Sequence, residues 1–129
     1  MSLSCPLGVD ILERKKAGAF YRRHHGKLGE LFSRGEMDFL KGSKDPQEAF
    51  AVIFAAKEAV FKALGVSWMG ISGFKKIQIF PKKDFTVRLK RRFIKHPLGR
   101  IHLRVSFQKN THHVIAICHP VTLRPCAGT

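Results

Sequence analysis

The segment KDPQEAFAVIFAAKEAVFKALG, residues 44–65, limits most strongly what this chain can fold into. At about 100° per residue, large apolar side chains cover one broad face of a helix and small or medium ones cover most of the other. A helix that is apolar almost all round is buried in a core. Asp45 can cap its first turn, with Pro46 at the first helical position and Glu48 at the capping-box spacing. Gly65 ends the segment, so we expect one long central helix.

Five other segments have the residue pattern of β-strands: 6–12, 74–80, 85–91, 99–107 and 112–118. Several of them alternate apolar and polar residues, as strands do in a sheet with one covered face. Because helices dominate the first half of the chain and strands the second, the predicted fold class is α+β. We expect an antiparallel sheet packed on the long central helix.

Two shorter helices are predicted before the central one. Residues 13–32 favour a helix in their first half, with Gly26 and Gly29 as stops, and residues 33–43 favour a short helix that ends at Gly42. A chain of 129 residues without repeats or linkers predicts a single domain, 1–129. Its ends, 1–5 and 120–129, carry little regular pattern and are expected to fray.

The central helix also carries three charged residues in its second half. Glu58 and Lys62 are four residues apart and share a sector of the helix with Ala51 and Ala55, whose small side chains would leave room for a ligand. A surface salt bridge between Glu58 and Lys62 would explain the same spacing. Lys57 falls on the phenylalanine side, where we expect its stem to pack while its amine reaches out.

Two carboxylates stand in the most apolar segments of a chain that has only 9 acidic residues: Asp10 in the first strand and Glu58 in the helix. Burying an unpaired carboxylate costs several kcal/mol, so each should have a cation or a ligand. If both face one cleft, Mg²⁺ is the natural counter-ion, because it is bound by few protein carboxylates together with water and substrate phosphate. Lys57 and Lys62 would then hold phosphate oxygens.

These two segments resemble the 4′-phosphopantetheinyl transferases, most closely their short, single-module holo-[acyl-carrier-protein] synthase group. GVDI at 8–11 matches the family pattern G-x-D in the first strand. FAAKEAVFKALG at 54–65 matches F/W-x-x-K-E-A/S-x-x-K in the long helix. Either motif alone is weak, but the combination is specific, and the resemblance extends over roughly residues 6–119.

The resemblance implies the family fold and the transfer of phosphopantetheine from coenzyme A to a serine of an acyl carrier protein, with release of adenosine 3′,5′-bisphosphate. It implies that Asp10 and Glu58 bind Mg²⁺, that Lys62 contacts the phosphates, and that Lys57 supports the same site as a cofactor-binding residue. Asp10, Glu58 and Lys62 are thus the expected catalytic set. The short group is typically a homotrimer with sites between subunits.

The chain departs from the family pattern at two places. Gln108 and Lys109 stand where the last strand of the family usually has Ser-His, and Ile53 stands where an arginine is common. Both departures concern coenzyme A contacts rather than the metal. We expect Lys109 to contact phosphate as a cation, in place of the cationic residue that the family usually has. A diverged relative that binds a carrier protein without modifying it remains an alternative.

The charge of +15 predicts an anionic partner. Acyl carrier proteins are strongly acidic, and the basic segment at 13–27 matches the first helix of the family, which docks the carrier. The candidate docking residues are Arg14, Lys15, Arg22 and Arg23; a solvated basic face with no special partner is the competing interpretation. A basic nucleic-acid-binding domain is the other alternative, supported by VRLKRRFIK at 87–95, although it leaves the two buried acids unexplained.

Three cysteines without a C-x-x-C spacing argue against a disulfide framework and a zinc site, and fit a reducing cytoplasm. The first residues lack the basic and apolar regions of a secretory signal. No stretch of the sequence approaches the roughly 18 apolar residues that span a bilayer. We therefore expect a cytoplasmic protein that is not membrane-bound.

Overall fold

A computed structural model describes residues 7–65, 74–81, 84–89 and 102–121. The described elements, in chain order, are β1 (Gly8–Glu13), α1 (Arg14–His24), a 3-10 helix (His25–Glu30), α2 (Arg34–Lys41), α3 (Pro46–Leu64), β2 (Ile77–Phe80), β3 (Thr86–Leu89), β4 (Leu103–Lys109) and β5 (His113–Pro120). The loop residue Trp68, most of the basic segment 87–95 and residues 1–6 and 122–129 lie outside the described residues. Pro120, placed by the sequence in the second frayed end, is the last residue of β5.

The five strands form one antiparallel sheet in the order β1-β5-β4-β3-β2. Helix α3 packs on one face of this sheet, against β1, β5, β2 and β4, and contacts α1 and α2 as well. Because it is covered from both directions, most of its side chains are buried. The predicted fold class, an antiparallel sheet packed on one long helix, is confirmed.

The predicted ends of α3 are those observed. The Asp45 side chain accepts a hydrogen bond from the Glu48 backbone N–H (3.1 Å), and Gly65 has a φ of 67°, a left-handed conformation that glycine adopts without strain. The Glu48 side chain does not close a capping box, because its carboxylate pairs with Arg14 of α1 instead. A full capping box occurs in α2, between Ser33 and Glu36.

Two boundaries differ from the expectation. The α-helical part of α1 ends at His24, before Gly26, but the chain continues as a 3-10 helix through Gly29, so these glycines change the helix type rather than stop it. Phe74 and Lys75, predicted as the start of a strand, are helical, and Phe74 is fully buried. Apolar content alone does not distinguish a buried turn of helix from a buried strand.

Strand β1 lies against α3 at unusually short range. A Cβ atom on Gly8 would lie 2.0 Å from the Ala59 carbonyl oxygen, so only glycine permits this approach. Ala51 and Ala55 are 2% and 0% exposed. The prediction that Ala51 and Ala55 leave room for a ligand is therefore wrong, because neighbouring protein covers both of them. Glu58 and Lys62, in the same sector of the helix, are partly or largely exposed.

No helix among the described residues is long and apolar enough to cross a membrane.

Candidate active site

Asp10 and Lys62 form an ion pair between β1 and α3. The Lys62 ammonium donates a 2.9 Å hydrogen bond to Asp10 Oδ1. The Asp10 side chain is 12% exposed, whereas the Lys62 side chain is 54% exposed. The carboxylate is thus held in place by the fold, while the lysine, on a flexible stem and more than half in solvent, is able to turn towards an incoming anion.

Glu58 lies on α3 close enough to Asp10 and Lys62 to interact with both charges. Partial burial raises the pKa of Glu58, the Asp10 carboxylate raises it further, and Lys62 opposes the shift. Two carboxylates and one lysine, far apart in the chain, therefore meet at one place, as the sequence predicted. Like charges held together in this way favour the binding of a cation between them.

We expect Glu58→Gln to stabilise the ligand-free protein. Since the folded state raises the pKa of Glu58 above its usual value of 4.5, folded protein binds a proton that unfolded protein has lost, and stability falls as pH rises through that window. At pH 7 the ionised carboxylate therefore destabilises the fold, and glutamine removes this effect. Urea unfolding should show a higher midpoint for the variant at about pH 7, with a smaller difference near pH 4. A lower midpoint for the variant at pH 7 would contradict the conclusion that the ionised Glu58 carboxylate destabilises the ligand-free protein.

Lys57 lies on a different side of α3 and is fully buried. Its ammonium pairs with Glu36 Oε1 (2.8 Å) and donates hydrogen bonds to the backbone oxygens of Leu31 (3.2 Å) and Phe74 (2.9 Å). The expectation that this amine reaches out of the helix to a cofactor phosphate is wrong, because its three protons point to three protein acceptors. Burial lowers the pKa of Lys57 to about 8, against the attraction of Glu36.

Glu36, the partner of Lys57, was not predicted as an important residue. Besides Lys57, its carboxylate accepts hydrogen bonds from the backbone N–H groups of Ser33 and Ile79, both at 2.7 Å. It thereby joins α2, α3 and β2. The sequence did contain a signal, since SRGE at 33–36 has the S-x-x-E spacing of a capping box.

Lys109 and Ile53 do not join the Asp10 site within this chain. The Lys109 ammonium lies 3.8 Å from Glu48 Oε2 at the start of α3, and Glu48 is ten residues, or about 15 Å of helix, from Glu58. A ligand that contacts both Lys109 and Glu58 of one chain must span that length. Ile53, at the position where the family has arginine, is fully buried in the core.

The four predicted docking residues differ in solvent exposure and in the protein groups they contact. Arg14 is partly buried, paired with Glu48 and hydrogen-bonded to the Asn110 carbonyl oxygen (2.9 Å). Arg22 donates to the Gln47 side chain (3.1 Å) from an exposed position, and Lys15 and Arg23 are exposed. Helix α1 thus presents Lys15, Arg22 and Arg23 to solvent, whereas Arg14 is committed to the protein.

A groove adjoins the site. It has a volume of about 900 Å³ between α1, the 3-10 helix and α3, and Glu58 lies at its edge. Phe20, Leu31 and Phe54 give it an apolar wall, and His24, Lys27 and Glu30 give it a polar rim. The described residues contain no group of three or more His, Cys, Asp or Glu that could hold a metal by themselves, so a cation here needs ligands from water or substrate.

Comparison with known proteins identifies the family to which this chain belongs. The family model of the 4′-phosphopantetheinyl transferase superfamily matches residues 6–118. A holo-[acyl-carrier-protein] synthase of Magnetococcus marinus is 32% identical over 133 positions, which cover 92% of this chain and 96% of that protein. The enzyme of the same name from Clostridium acetobutylicum is 41% identical over 73 residues, which cover 57% of this chain and 58% of the relative. Against several of the curated relatives, the matched region thus spans little more than half of their length.

Solved structures show the same fold. The holo-[acyl-carrier-protein] synthase of Neisseria meningitidis superposes with a TM-score of 0.72 at 21% identity, over 91% of this chain and 98% of that one. The Helicobacter pylori enzyme, solved in complex with coenzyme A, gives 0.71 at 24% identity, over 89% and 99%. With the family model matching nearly the whole chain and both motifs present, the chain belongs to the 4′-phosphopantetheinyl transferase superfamily, in its holo-[acyl-carrier-protein] synthase group.

Proposed function

We propose that this chain transfers the 4′-phosphopantetheine arm of coenzyme A to a serine of an acyl carrier protein, in the cytoplasm, with release of adenosine 3′,5′-bisphosphate. The observation that carries the proposal is the meeting of Asp10, Glu58 and Lys62 at the positions of the two family motifs. Neither a nucleic-acid-binding domain nor a non-catalytic relative requires two partly buried carboxylates beside an accessible lysine.

The residues of the site fit a magnesium ion. Mg²⁺ is bound by one or two carboxylates together with water and substrate phosphate, and Asp10 and Glu58 supply two carboxylates whose mutual repulsion a cation would relieve. These two residues would hold the ion, which when bound neutralises charge on the pyrophosphate of coenzyme A.

The transfer is a substitution at the phosphorus that carries the pantetheine arm. The serine oxygen of the carrier forms a bond to this phosphorus as the bond to the bridging pyrophosphate oxygen breaks. Adenosine 3′,5′-bisphosphate leaves with that electron pair, and the serine proton passes to a carboxylate of the site or to water. Lys62 turns from Asp10 to the phosphate oxygens and stabilises the charge that spreads over them in the transition state.

The assay that tests this proposal measures the mass of the carrier. Incubation of the protein with coenzyme A, Mg²⁺ and an apo acyl carrier protein should add the mass of one phosphopantetheine group, and chelation of the metal should stop the reaction. Asp10→Asn should lose transfer while its unfolding curve remains cooperative. Undiminished transfer by Asp10→Asn would refute the site, and no mass gain with several carriers would refute the function.

We further propose that residues 1–129 form one transferase domain that assembles as a homotrimer. The face of the sheet opposite α3 carries an aliphatic patch, made by Leu7, Val9 and Ile11 of the first strand region with Ile115 and Ile117 of β5. The first three are 61%, 42% and 62% exposed. Contiguous apolar surface of this kind marks an interaction site, and a second copy of the chain is the expected partner.

We expect Ile11→Lys to convert the trimer into monomers, because a charge buried at the interface would lack a partner. Light scattering after size exclusion should report one third of the wild-type mass for the variant. Ile11→Val, which keeps the patch apolar, is the control and should remain trimeric. A wild-type protein that is monomeric at micromolar concentration would contradict the proposal.

A further inference from the structure

A row of polar side chains crosses the face of the sheet opposite α3. Thr86 of β3, Arg104 of β4 and His119 of β5 lie directly opposite one another in the strand register. Leu103 and Val105, on either side of Arg104 in β4, are buried, so the row points away from the core. Side chains opposite each other on neighbouring strands have Cβ atoms about 4.5–5.5 Å apart, so a ligand above Arg104 is within reach of both neighbours.

Ser106 adds a hydroxyl next to this row. It follows Arg104 by two residues in β4 and therefore lies on the same face of the sheet. Its Oγ atom is hydrogen-bonded to His119 Nε2 at 2.8 Å in an exposed position. In the tautomer in which the imidazole donates this bond, the serine proton remains free to donate to a ligand. His119 thereby fixes Ser106 as a donor beside Arg104.

Arg104 is incompletely paired within this chain. Its Nε atom is buried and has no hydrogen-bond acceptor among the described residues. The Asp84 Oδ2 atom lies 4.0 Å from Arg104 Nη2, beyond hydrogen-bond distance, and the Asp84 side chain is 83% exposed. Most buried polar groups in folded proteins have a partner, and a guanidinium usually donates two parallel hydrogen bonds to a carboxylate or a phosphate. Arg104 therefore has donors for an oxyanion that the described part of the chain does not supply.

We propose that this row, together with Ser106, binds a phosphate group, either free or carried on a small molecule. Arg104 donates to two of the phosphate oxygens, and the hydroxyls of Ser106 and Thr86 donate to the others. Donors that converge from two strands around a guanidinium suit a phosphate with several acceptor oxygens better than a planar carboxylate with two. Asp84 is the competing anion, because an approaching phosphate draws the guanidinium away from it. The inference is independent of the proposed transfer, which uses Asp10 on the face that packs against α3.

The test follows the imidazole resonances by NMR while sodium phosphate replaces sodium chloride at constant pH and ionic strength. Constant ionic strength separates a specific site from the general attraction of anions to a chain of charge +15. We expect the His119 resonances to shift and to reach saturation at millimolar phosphate. His113 is the internal control, because it lies on the same face of β5, about 20 Å away along the strand.

The same titration with glycerol 3-phosphate distinguishes the two sources of the phosphate group. Saturation of the His119 shift at a lower concentration of the ester than of inorganic phosphate supports a site for a phosphate carried on a small molecule. Saturation at a lower concentration of inorganic phosphate supports a site for the free ion.

Four variants locate the site. Arg104→Gln should raise the half-saturating phosphate concentration at least about tenfold, because it removes a charged donor. Ser106→Ala, a change at an exposed side chain, should raise it by about fivefold. Asp84→Asn should lower it by about threefold, since the competing carboxylate is gone and asparagine adopts the φ of 60° found at this position. Arg34→Gln, at the exposed start of α2, removes the same charge as Arg104→Gln and should leave the concentration unchanged.

Three results would overturn the proposal. The first is a His119 shift that does not saturate, or that His113 matches, because phosphate would then have no specific site on this face. The second is a half-saturating concentration that neither Arg104→Gln nor Ser106→Ala changes. The third is dissociation of the assembly by Arg104→Gln while phosphate leaves His119 unmoved, because Arg104 would then pair with a neighbouring copy of the chain.

Discussion

Lys57→Met should destabilise the protein by about 3–5 kcal/mol, the cost of breaking a buried ion pair by removing one partner. The substitution leaves the Glu36 carboxylate fully buried without its cation, and removes the donor that joins α3 to the backbone oxygens of Leu31 and Phe74. A small domain is stable by only about 5–15 kcal/mol in total, so the variant should unfold at markedly lower urea concentration.

The matched control is Lys62→Met, the same change five residues later on the same helix. Lys62 is 54% exposed, and its ion pair with Asp10 should contribute about 1 kcal/mol or less. The double variant Glu36→Gln with Lys57→Met removes both buried charges and should be more stable than Lys57→Met alone. If the Lys57 and Lys62 variants unfolded at the same urea concentration, the Glu36–Lys57 pair would not have the structural role assigned to it.

The main features of the central helix could be predicted from the sequence. Its buried position, its N-cap at Asp45 and its end at Gly65 follow from local chemistry and hydrophobic periodicity, and all were predicted. The cost of an isolated buried carboxylate, in a chain with few acids, predicted only that Asp10 and Glu58 would each have a cation or a ligand. That the two acids share one site was what the family resemblance implied.

The partner of the Lys57 amine, in contrast, could not be predicted from the sequence. Helix geometry places its side chain on the phenylalanine face, but does not say whether the amine continues to solvent or finds an acceptor inside. The acceptor is Glu36, which is 21 positions away in sequence and belongs to a separate short helix. Pairing over such a separation depends on how α2 packs against α3, which local patterns do not specify. A lysine in an almost entirely apolar helix therefore indicates a buried acidic partner as readily as it indicates a bound ligand.

Gly8→Ala should reduce phosphopantetheine transfer by about a hundredfold, the effect expected of a displacement of about 1 Å at a catalytic site. The added Cβ would lie 2.0 Å from the Ala59 carbonyl oxygen and 2.4 Å from the Ala63 backbone nitrogen. Both atoms belong to the backbone of α3 and cannot rotate aside, so β1 must move away from the helix. Overpacking of this kind should also lower the free energy of unfolding by about 1–3 kcal/mol.

The functional loss follows from the position of Gly8 two residues before Asp10. Residues i and i+2 of a strand point to the same face, so the glycine that lets β1 approach α3 also sets the distance from Asp10 to Lys62. Gly35→Ala is the control, because a Cβ there meets no atom within 4 Å and alanine in α2 should stabilise the protein by about 0.5–1 kcal/mol. Transfer should be measured at a temperature where both variants are fully folded. A folded Gly8→Ala protein with wild-type transfer would show that the close contact of β1 with α3 does not position the site.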